Sequence, residues 1–328
     1  MLGKIQSANF RRALLRWYSR QGRDLPWRRT RDPYSILVSE IMLQQTQVSA
    51  VVPFYHRWLK RFPTFPALAA ASESDVLHAW QGLGYYSRAR NLHLAAKLVV
   101  SQYHGVLPRA AEQIRRLPGL GRYASNAVAT FAFDRSLPIV EANITRVIAR
   151  LFNIRLPVDS TAGCDRLWQS AESLLPETKA GTFNSALMDL GALVCVRTPR
   201  CTVCPVKSFC RSGKPELLPI KKPRPPTVNL TETHAFVRRD GALLLERCSG
   251  RWRGMWMLPS LSTAPKRTRP IHSLVFPFTH HRINLMVFRG RATRPTAEQQ
   301  WIALEQLAKL PIPSPHRRAI TSLLGTGH

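Results

Sequence analysis

Acid is what this 328-residue chain has least of: 19 Asp and Glu face 48 Lys and Arg, a formal net charge of +29. So one-sided a balance excludes a polycationic partner and calls for a polyanion, most economically nucleic acid, or for a strongly solvated surface. Arginine is scattered over the whole chain and not gathered in one tail, so genome composition stands as a competing source of the excess. Long apolar runs are missing too. No stretch reaches the roughly 20 residues of a membrane span, and the N-terminal stretch has no uninterrupted hydrophobic core of a signal peptide. The sequence therefore predicts a reducing, cytoplasmic, nucleoid-associated setting and no membrane partner. Internal repeats and low-complexity tracts are absent, and cysteine is sparse at six.

Four of those six nonetheless crowd together as Cys195-x5-Cys201-x2-Cys204-x5-Cys210. Such clustering needs a metal centre or a disulfide knot, and the reducing setting favours the metal. An iron–sulfur cluster takes four thiolates from a loop that bends around it, and Pro199, Pro205 and Gly213 supply turns. A four-cysteine zinc site usually arrives as two CxxC pairs, whereas only Cys201 and Cys204 form one here. Spacing ranks iron–sulfur above zinc, and zinc above unrelated buried thiols. Cys164 and Cys248 have no such neighbours and read as core residues.

The length allows two domains. Phe10, Leu14, Trp17 and Tyr18 mark a first amphipathic helix, an arginine-rich transit peptide being the competing reading. Asp32-Pro33 is an N-cap followed by proline in the first turn, opening a helix with Ile36, Leu37, Glu40, Ile41 and Leu43. Thr46 is expected to cap the next helix, which runs to Trp58 with a kink at Pro53. Ser72 and Asp75 have capping-box spacing, and a helix is predicted from Tyr85 to Tyr103, stopped by Gly105. Around Leu117-Pro118-Gly119-Leu120-Gly121 two helices meet at a glycine turn. This is a helix–hairpin–helix, whose amide N–H groups suit a phosphate oxygen; a plain helical turn is the bland alternative.

Composition changes after Gly213. Residues 214–229, with the run Lys221-Lys222-Pro223-Arg224, read as an extended connector between a helical domain at 1–213 and a β-rich domain at 230–328. There Asp240-Gly241 signals a hairpin between Ala235–Val237 and Ala242–Leu245, and Ile283, Leu285 and Val287 alternate as a strand. A small α+β domain is predicted.

Leu25-Pro-Trp-Arg28, Ser39 to Val48 (SEIMLQQTQV), Gly82 to Asn91 (GLGYYSRARN), Leu117 to Gly121, Ala186 to Gly191 (ALMDLG) and the cysteine cluster together resemble the adenine DNA glycosylases of the MutY family, over almost the whole chain. The resemblance implies a mainly α N-terminal helix–hairpin–helix glycosylase fold with an iron–sulfur cluster, plus a small α+β Nudix-like C-terminal domain, here shortened. It implies a [4Fe-4S] cluster on Cys195, Cys201, Cys204 and Cys210. It also implies a monomer on double-stranded DNA, removing adenine mispaired with 8-oxoguanine or guanine.

Breaking a purine N-glycosidic bond needs a proton for the leaving base and a negative charge near the oxocarbenium-like sugar. Glu40 sits among apolar helix neighbours, a setting that raises a carboxyl pKa, and it matches the family's catalytic acid. Taken alone it would pass for a solvent-facing helix glutamate. The second carboxylate departs from the family: Glu141-Ala142-Asn143 stands where aspartate is usual, and the added methylene displaces the charge by about an ångström, worth roughly a hundredfold in rate. Glu141 is assigned to the sugar cation and Asn143 to its support, the competing role for Glu141 being a cap or a bridge to Arg146. Tyr123 occupies the position where lyase-type relatives carry a nucleophilic lysine, which implies a monofunctional enzyme.

By the same resemblance Gln44 and Tyr85 are wedges, Trp27 and Arg28 line the base pocket, and Asp189 lies beside it. Leu117, Gly119 and Gly121 form the DNA-contacting hairpin. Phe278-Thr279-His280 resembles the loop that senses 8-oxoguanine, with Thr279 keeping the hydroxyl of the usual serine, His280 donating and His281 facing solvent. Tyr86 and Met188 are left to the core. No REx2E-like signature is present, so hydrolysis of nucleotides by the C-terminal part is not expected. The first cysteine spacer holds five residues where the family usually has six. Two alternatives remain: an endonuclease III-like lyase for oxidised pyrimidines, and a non-catalytic mispair-binding protein.

Overall fold

The computed structural model describes residues 4–325 except 224, 266, 292 and 293. Helices come first: α1 (Lys4–Gln21), α2 (Pro33–Leu43), α3 (Val48–Arg61), α4 (Phe65–Ala70), α5 (Glu73–Ala79), α6 (Ser87–Tyr103), α7 (Ala111–Ile114), α8 (Arg122–Phe133), α9 (Ala142–Leu151), α10 (Thr161–Glu172) and α11 (Ala180–Leu193). Strands follow: β1 (Val228–Phe236), β2 (Arg238–Arg239), β3 (Ala242–Arg247), β4 (Trp256–Met257), β5 (His272–Phe278), β6 (His281–Arg289) and β7 (Gln299–Ala303), then helix α12 (Ser314–Gly325).

Two compact units result, Met1–Pro66 with Leu94–Pro223, and Ala67–His93 with Arg224–His328. These differ from the boundaries at 213 and 230 that composition predicts. The second unit takes in a helical segment because Gln81 Nε2 donates to the Ile312 carbonyl at 3.0 Å and Arg90 Nη1 to that of Arg253 at 2.7 Å. Residues 67–93 share the composition of the helices around them, so no shift marks the change. Lys222 N is tied to the Asp159 carboxylate at 2.9 Å, while Arg224 lies outside the described residues.

In the first unit α1 lays Phe10 and Leu14 against Val147 and Ile148 of α9 and Phe183 and Leu187 of α11, all nearly inaccessible. Each such side chain contributes roughly 1.5–3 kcal/mol by leaving water. Helix α2 begins where Asp32 accepts from Ser35 N at 2.9 Å, with Pro33 at its first position. It is buried on every face: Ile36, Leu37, Val38, Ile41 and Met42 are each at most 1% exposed. Ser72 caps α5 through Asp75 N at 3.0 Å as its spacing predicts.

Thr46 does not cap α3. Gln45 turns left-handed at φ 57°, which delays the helix to Val48 with Gln47 as an N-cap lacking a side-chain bond; the helix then continues past Trp58, through Pro53, to Arg61. Tyr85, at φ 47°, likewise stands outside α6. The hairpin at Leu117–Gly121 forms as expected, Gly119 taking φ 79° and Gly121 preceding α8 without a side-chain cap. Cys164 is exposed on α10, not buried as predicted, whereas Cys248 is buried.

The second unit holds a three-stranded sheet ordered β1-β6-β5, with β1 and β6 parallel, and a four-stranded sheet in which β3 pairs with β2, β4 and β7. Ile283, Leu285 and Val287 are its fully buried alternating face on β6. Asp240 and Gly241 form the expected turn at φ 46° and 72°, but it joins β2 to β3. Ala235 and Phe236 pair with β6 instead, while Val237 accepts from Leu244 N of β3 at 3.0 Å. No helix lies in the described residues between Pro259 and Phe278; the helix that follows the strands is α12, which the sequence reading missed. No helix of the described residues is long and apolar enough to cross a membrane.

Candidate active site

A cavity of about 700 Å³ in the first unit is lined by Trp27, Arg28, Glu40, Gln44, Tyr123, Glu141 and Asn143. Glu40 comes from the all-buried helix α2 and is 3% exposed. Its carboxyl is pushed up to about 7, burial and then the Glu141 charge raising it against the Tyr123 hydrogen bond and Arg28. The Tyr123 hydroxyl, from the first turn of α8, donates to Glu40 Oε2 at 2.6 Å. Desolvation and the two nearby carboxylates hold that phenol well above its ordinary value, so it stays a donor.

Glu141 is the N-cap of α9: Oε2 accepts from Asn143 N at 2.7 Å and Oε1 from Ile144 N at 2.8 Å. Both N–H groups would otherwise be orphaned, and the helix dipole favours an anion at this end. Burial raises the Glu141 carboxyl, opposed by those two N–H groups, Arg146 and Arg23. The cap and the cavity-lining role thus coexist. Asn143 supports it through the backbone only, its side-chain Oδ1 accepting from Arg146 Nη2 at 2.8 Å. Arg146 Nε in turn donates to the Cys195 carbonyl at 2.6 Å.

Asp189 does not line the cavity. Its fully buried carboxylate accepts from both Arg28 Nη1 and Nη2 at 2.8 Å and from Arg23 N and Nε at 2.8 Å. Burial alone would raise its carboxyl; the Arg28 and Arg23 bonds outweigh that and leave it below the ordinary range. Asp189 therefore fixes Arg28, which faces the cavity and lies over the Tyr18 ring. Trp27 meets Tyr55 edge-on at 5.4 Å. Met188, assigned to the core from its spacing, lines the cavity, while Tyr86 is indeed core at 5% exposure. Arg23 was missed, and nothing in its spacing from Asp189, 166 positions away, signals the pairing.

A second, smaller cavity of the same unit is lined by Cys195, Cys201, Cys204, Cys210 and Arg150. Burial and then the neighbouring thiols push Cys204 up to about 11, against the backbone bond from Val206. Arg150, 2% exposed, donates to the carbonyls of Cys195, Val196, Arg197 and Leu218 and to Cys195 Sγ at 3.3 Å. Among the described residues no three His, Cys, Asp or Glu side chains are set to grip one metal ion.

The remaining predicted positions lie elsewhere. Leu117 is 4% exposed and Gly119 turns the hairpin, while in the second unit Tyr85 is 43% exposed. Thr279 and His280 form the exposed turn between β5 and β6, beside half-buried Phe278. His281 is not turned to open solvent as expected: it is half-buried and stacked on His280 at 4.0 Å between ring centroids.

Residues 38–163 match the HhH-GPD superfamily base excision DNA repair protein family. Adenine DNA glycosylase of Mycolicibacterium smegmatis is 47% identical over 200 residues, covering 60% of this chain and 67% of that protein. The rat adenine DNA glycosylase is 44% identical over 213 residues, 62% of this chain but only 41% of its own length. Among solved structures, a thermostable thymine-DNA glycosylase superposes with TM-score 0.58 at 33% identity, covering 63% of this chain and 96% of that one. A non-covalent endonuclease III–DNA complex, at 23% identity and TM-score 0.56 over 65% of this chain and 98% of that one, shares the fold.

Proposed function

Since the chain belongs to the adenine DNA glycosylase family within the HhH-GPD superfamily of base excision repair proteins, we propose that it excises adenine from double-stranded DNA where adenine faces 8-oxoguanine or guanine. The observation that carries this is the convergence of Glu40, hydrogen-bonded to Tyr123, and the α9-capping Glu141 on one cavity wall.

The chemistry follows from their electrostatics. An acid poised near pH 7 both holds its proton and releases it at neutral pH. Glu40 gives that proton to N7 of an everted adenine, so the electrons of the breaking C1′–N9 bond leave on a neutral base. The sugar left behind is cationic, and the Glu141 carboxylate faces the charge as it develops. A water molecule then adds at C1′ and gives its proton to the Glu40 carboxylate, which restores the acid and leaves an abasic site. Tyr123 holds Glu40 but carries no amine, so no Schiff base and no strand cleavage is expected. Arg28, its fork committed to Asp189, presents a fixed positive charge and its remaining N–H groups toward the base, with Trp27 as an apolar wall.

Four thiols lining one cavity, beside a buried arginine that no carboxylate among the described residues offsets, suit an anionic [4Fe-4S] cluster on Cys195, Cys201, Cys204 and Cys210. Its contribution when bound is to brace the 195–210 loop. Iron and sulfide in anaerobically purified protein test this; stoichiometric zinc would contradict it. Partners other than DNA are not proposed, nor an assembly beyond the monomer.

Incubation with duplexes carrying A:8-oxoguanine, A:G and A:T, followed by alkaline cleavage of abasic sites, tests the activity. Adenine release from the first two and none from A:T is expected. Covalent trapping of the chain on DNA by borohydride would point to the lyase alternative instead, and tight mispair binding without release to the non-catalytic one.

A further inference from the structure

Beyond the excision site, the hairpin joining β5 to β6 carries a strained tip. Phe278 and His281 form the last rung of the ladder, leaving Thr279 and His280 to make the turn alone. Thr279 sits at φ 54°, a left-handed conformation that a β-branched residue enters only when its surroundings enforce it. Its hydroxyl is committed inward, donating to the Phe278 carbonyl at 2.7 Å and lying 3.3 Å from His281 Nδ1. The hydroxyl that stands where the family has serine thus helps to close the turn, beside the exposed imidazole of His280.

One residue outside the hairpin holds this arrangement. The Arg251 guanidinium lies 4.5 Å from the Phe278 ring centroid and 5.0 Å from that of Trp252. Its Nη2 donates to Glu232 Oε1 at 2.8 Å, both side chains being largely buried. Its Nη1 is buried with no acceptor among the described residues, so the two ring faces and the Glu232 carboxylate share the compensation of the charge. Glu232 belongs to β1 and Phe278 to β5, the two outer strands of a sheet whose middle strand is β6. Arg251 thus ties Phe278, the residue before the left-handed Thr279, to Glu232 of β1.

We infer that Arg251 is a positioning residue for recognition of the base opposite the excised adenine: it preorganises the Phe278–His281 tip so that His280 is presented in one orientation. This rests on the proposed reading that the tip meets that base. Preorganisation removes an ordering cost from the correct complex, and specificity is a difference between two affinities, so the effect belongs to discrimination more than to chemistry.

The test uses the full chain with Arg251→Met, which keeps an apolar stem and removes the charged fork. Single-turnover excision is compared on A:8-oxoguanine and A:G duplexes, beside Thr279→Ala and His280→Ala. The ratio of the two rates should fall about three- to tenfold in Arg251→Met, the worth of one partly desolvated cation–π contact. Arg251→Lys, with charge but no planar fork, should recover part of it, and the thermal midpoint should stay within a few degrees of wild type. An unchanged ratio in Arg251→Met, with Thr279→Ala or His280→Ala collapsing it, would overturn the Arg251 role alone. An unchanged ratio in all three variants would overturn the reading of the tip and this inference with it. Equal losses on both duplexes alongside a lowered midpoint would reduce Arg251 to a structural part.

Discussion

The Tyr123 hydroxyl donates to Glu40 Oε2 at 2.6 Å, joining the first turn of α8 to the middle of α2 across 83 positions of sequence. That bond and burial act in opposite directions on the same proton: burial favours the neutral acid, and the phenol favours the carboxylate. Their balance leaves Glu40 near 7 and ties the position of the helix–hairpin–helix to the strength of the acid.

A pH profile tests this. The reaction needs Glu40 protonated, so the single-turnover rate should fall as pH rises through about 7. Tyr123→Phe removes the interaction that lowers the Glu40 value, so the falling limb should move to higher pH. A limb that stays in place in Tyr123→Phe would show that the bond does not set the acid.

Glu141 is predicted to tolerate shortening but not neutralisation. Aspartate is a strong N-cap and can still accept from Asn143 N or Ile144 N, so Glu141→Asp should keep wild-type stability within about 1 kcal/mol. It should excise at least as fast, up to roughly a hundredfold faster if the extra methylene misplaces the charge. Glu141→Gln keeps the length and loses the charge, and its rate should drop a hundredfold or more. Rapid-quench measurements on all three proteins check this, and equal rates for Glu141 and Gln would remove the sugar cation from its role.

Asp189→Asn leaves Arg28 and Arg23 without their buried counter-charge. Breaking one side of such a pair costs about 3–5 kcal/mol, far more than a surface bridge of under 1. Denaturant titration should show an unfolding free energy lowered by that amount. A loss below 1 kcal/mol would mean that Asp189 does not brace Arg28.

Much of this was legible in the sequence because it is local or chemical. Asp32-Pro33, Ser72 with Asp75, the glycine hairpin before α8 and the alternation on β6 each depend on neighbours a few positions away, and each forms. Glu40 was singled out by its match to the family's catalytic acid, since its helical spacing alone also fits a solvent-facing glutamate. What escaped depends on long-range packing: the Arg23–Asp189–Arg28 clamp, Arg150 gathering the cysteine-loop carbonyls, and the grouping of residues 67–93 with the C-terminal unit. Thr46 was misjudged because a left-handed Gln45 has no pattern in sequence, and Met188 because a cavity wall and a core repeat at the same helical spacing.

The most direct trial of the account is single-turnover release of adenine from an A:8-oxoguanine duplex by Glu40→Gln, with affinity for the same duplex measured in parallel. Glutamine keeps the volume and an acceptor for Tyr123 but has no proton to give. The account predicts that binding survives while release slows by a hundredfold or more, the scale of a positioned general acid. Release at the wild-type rate would contradict it.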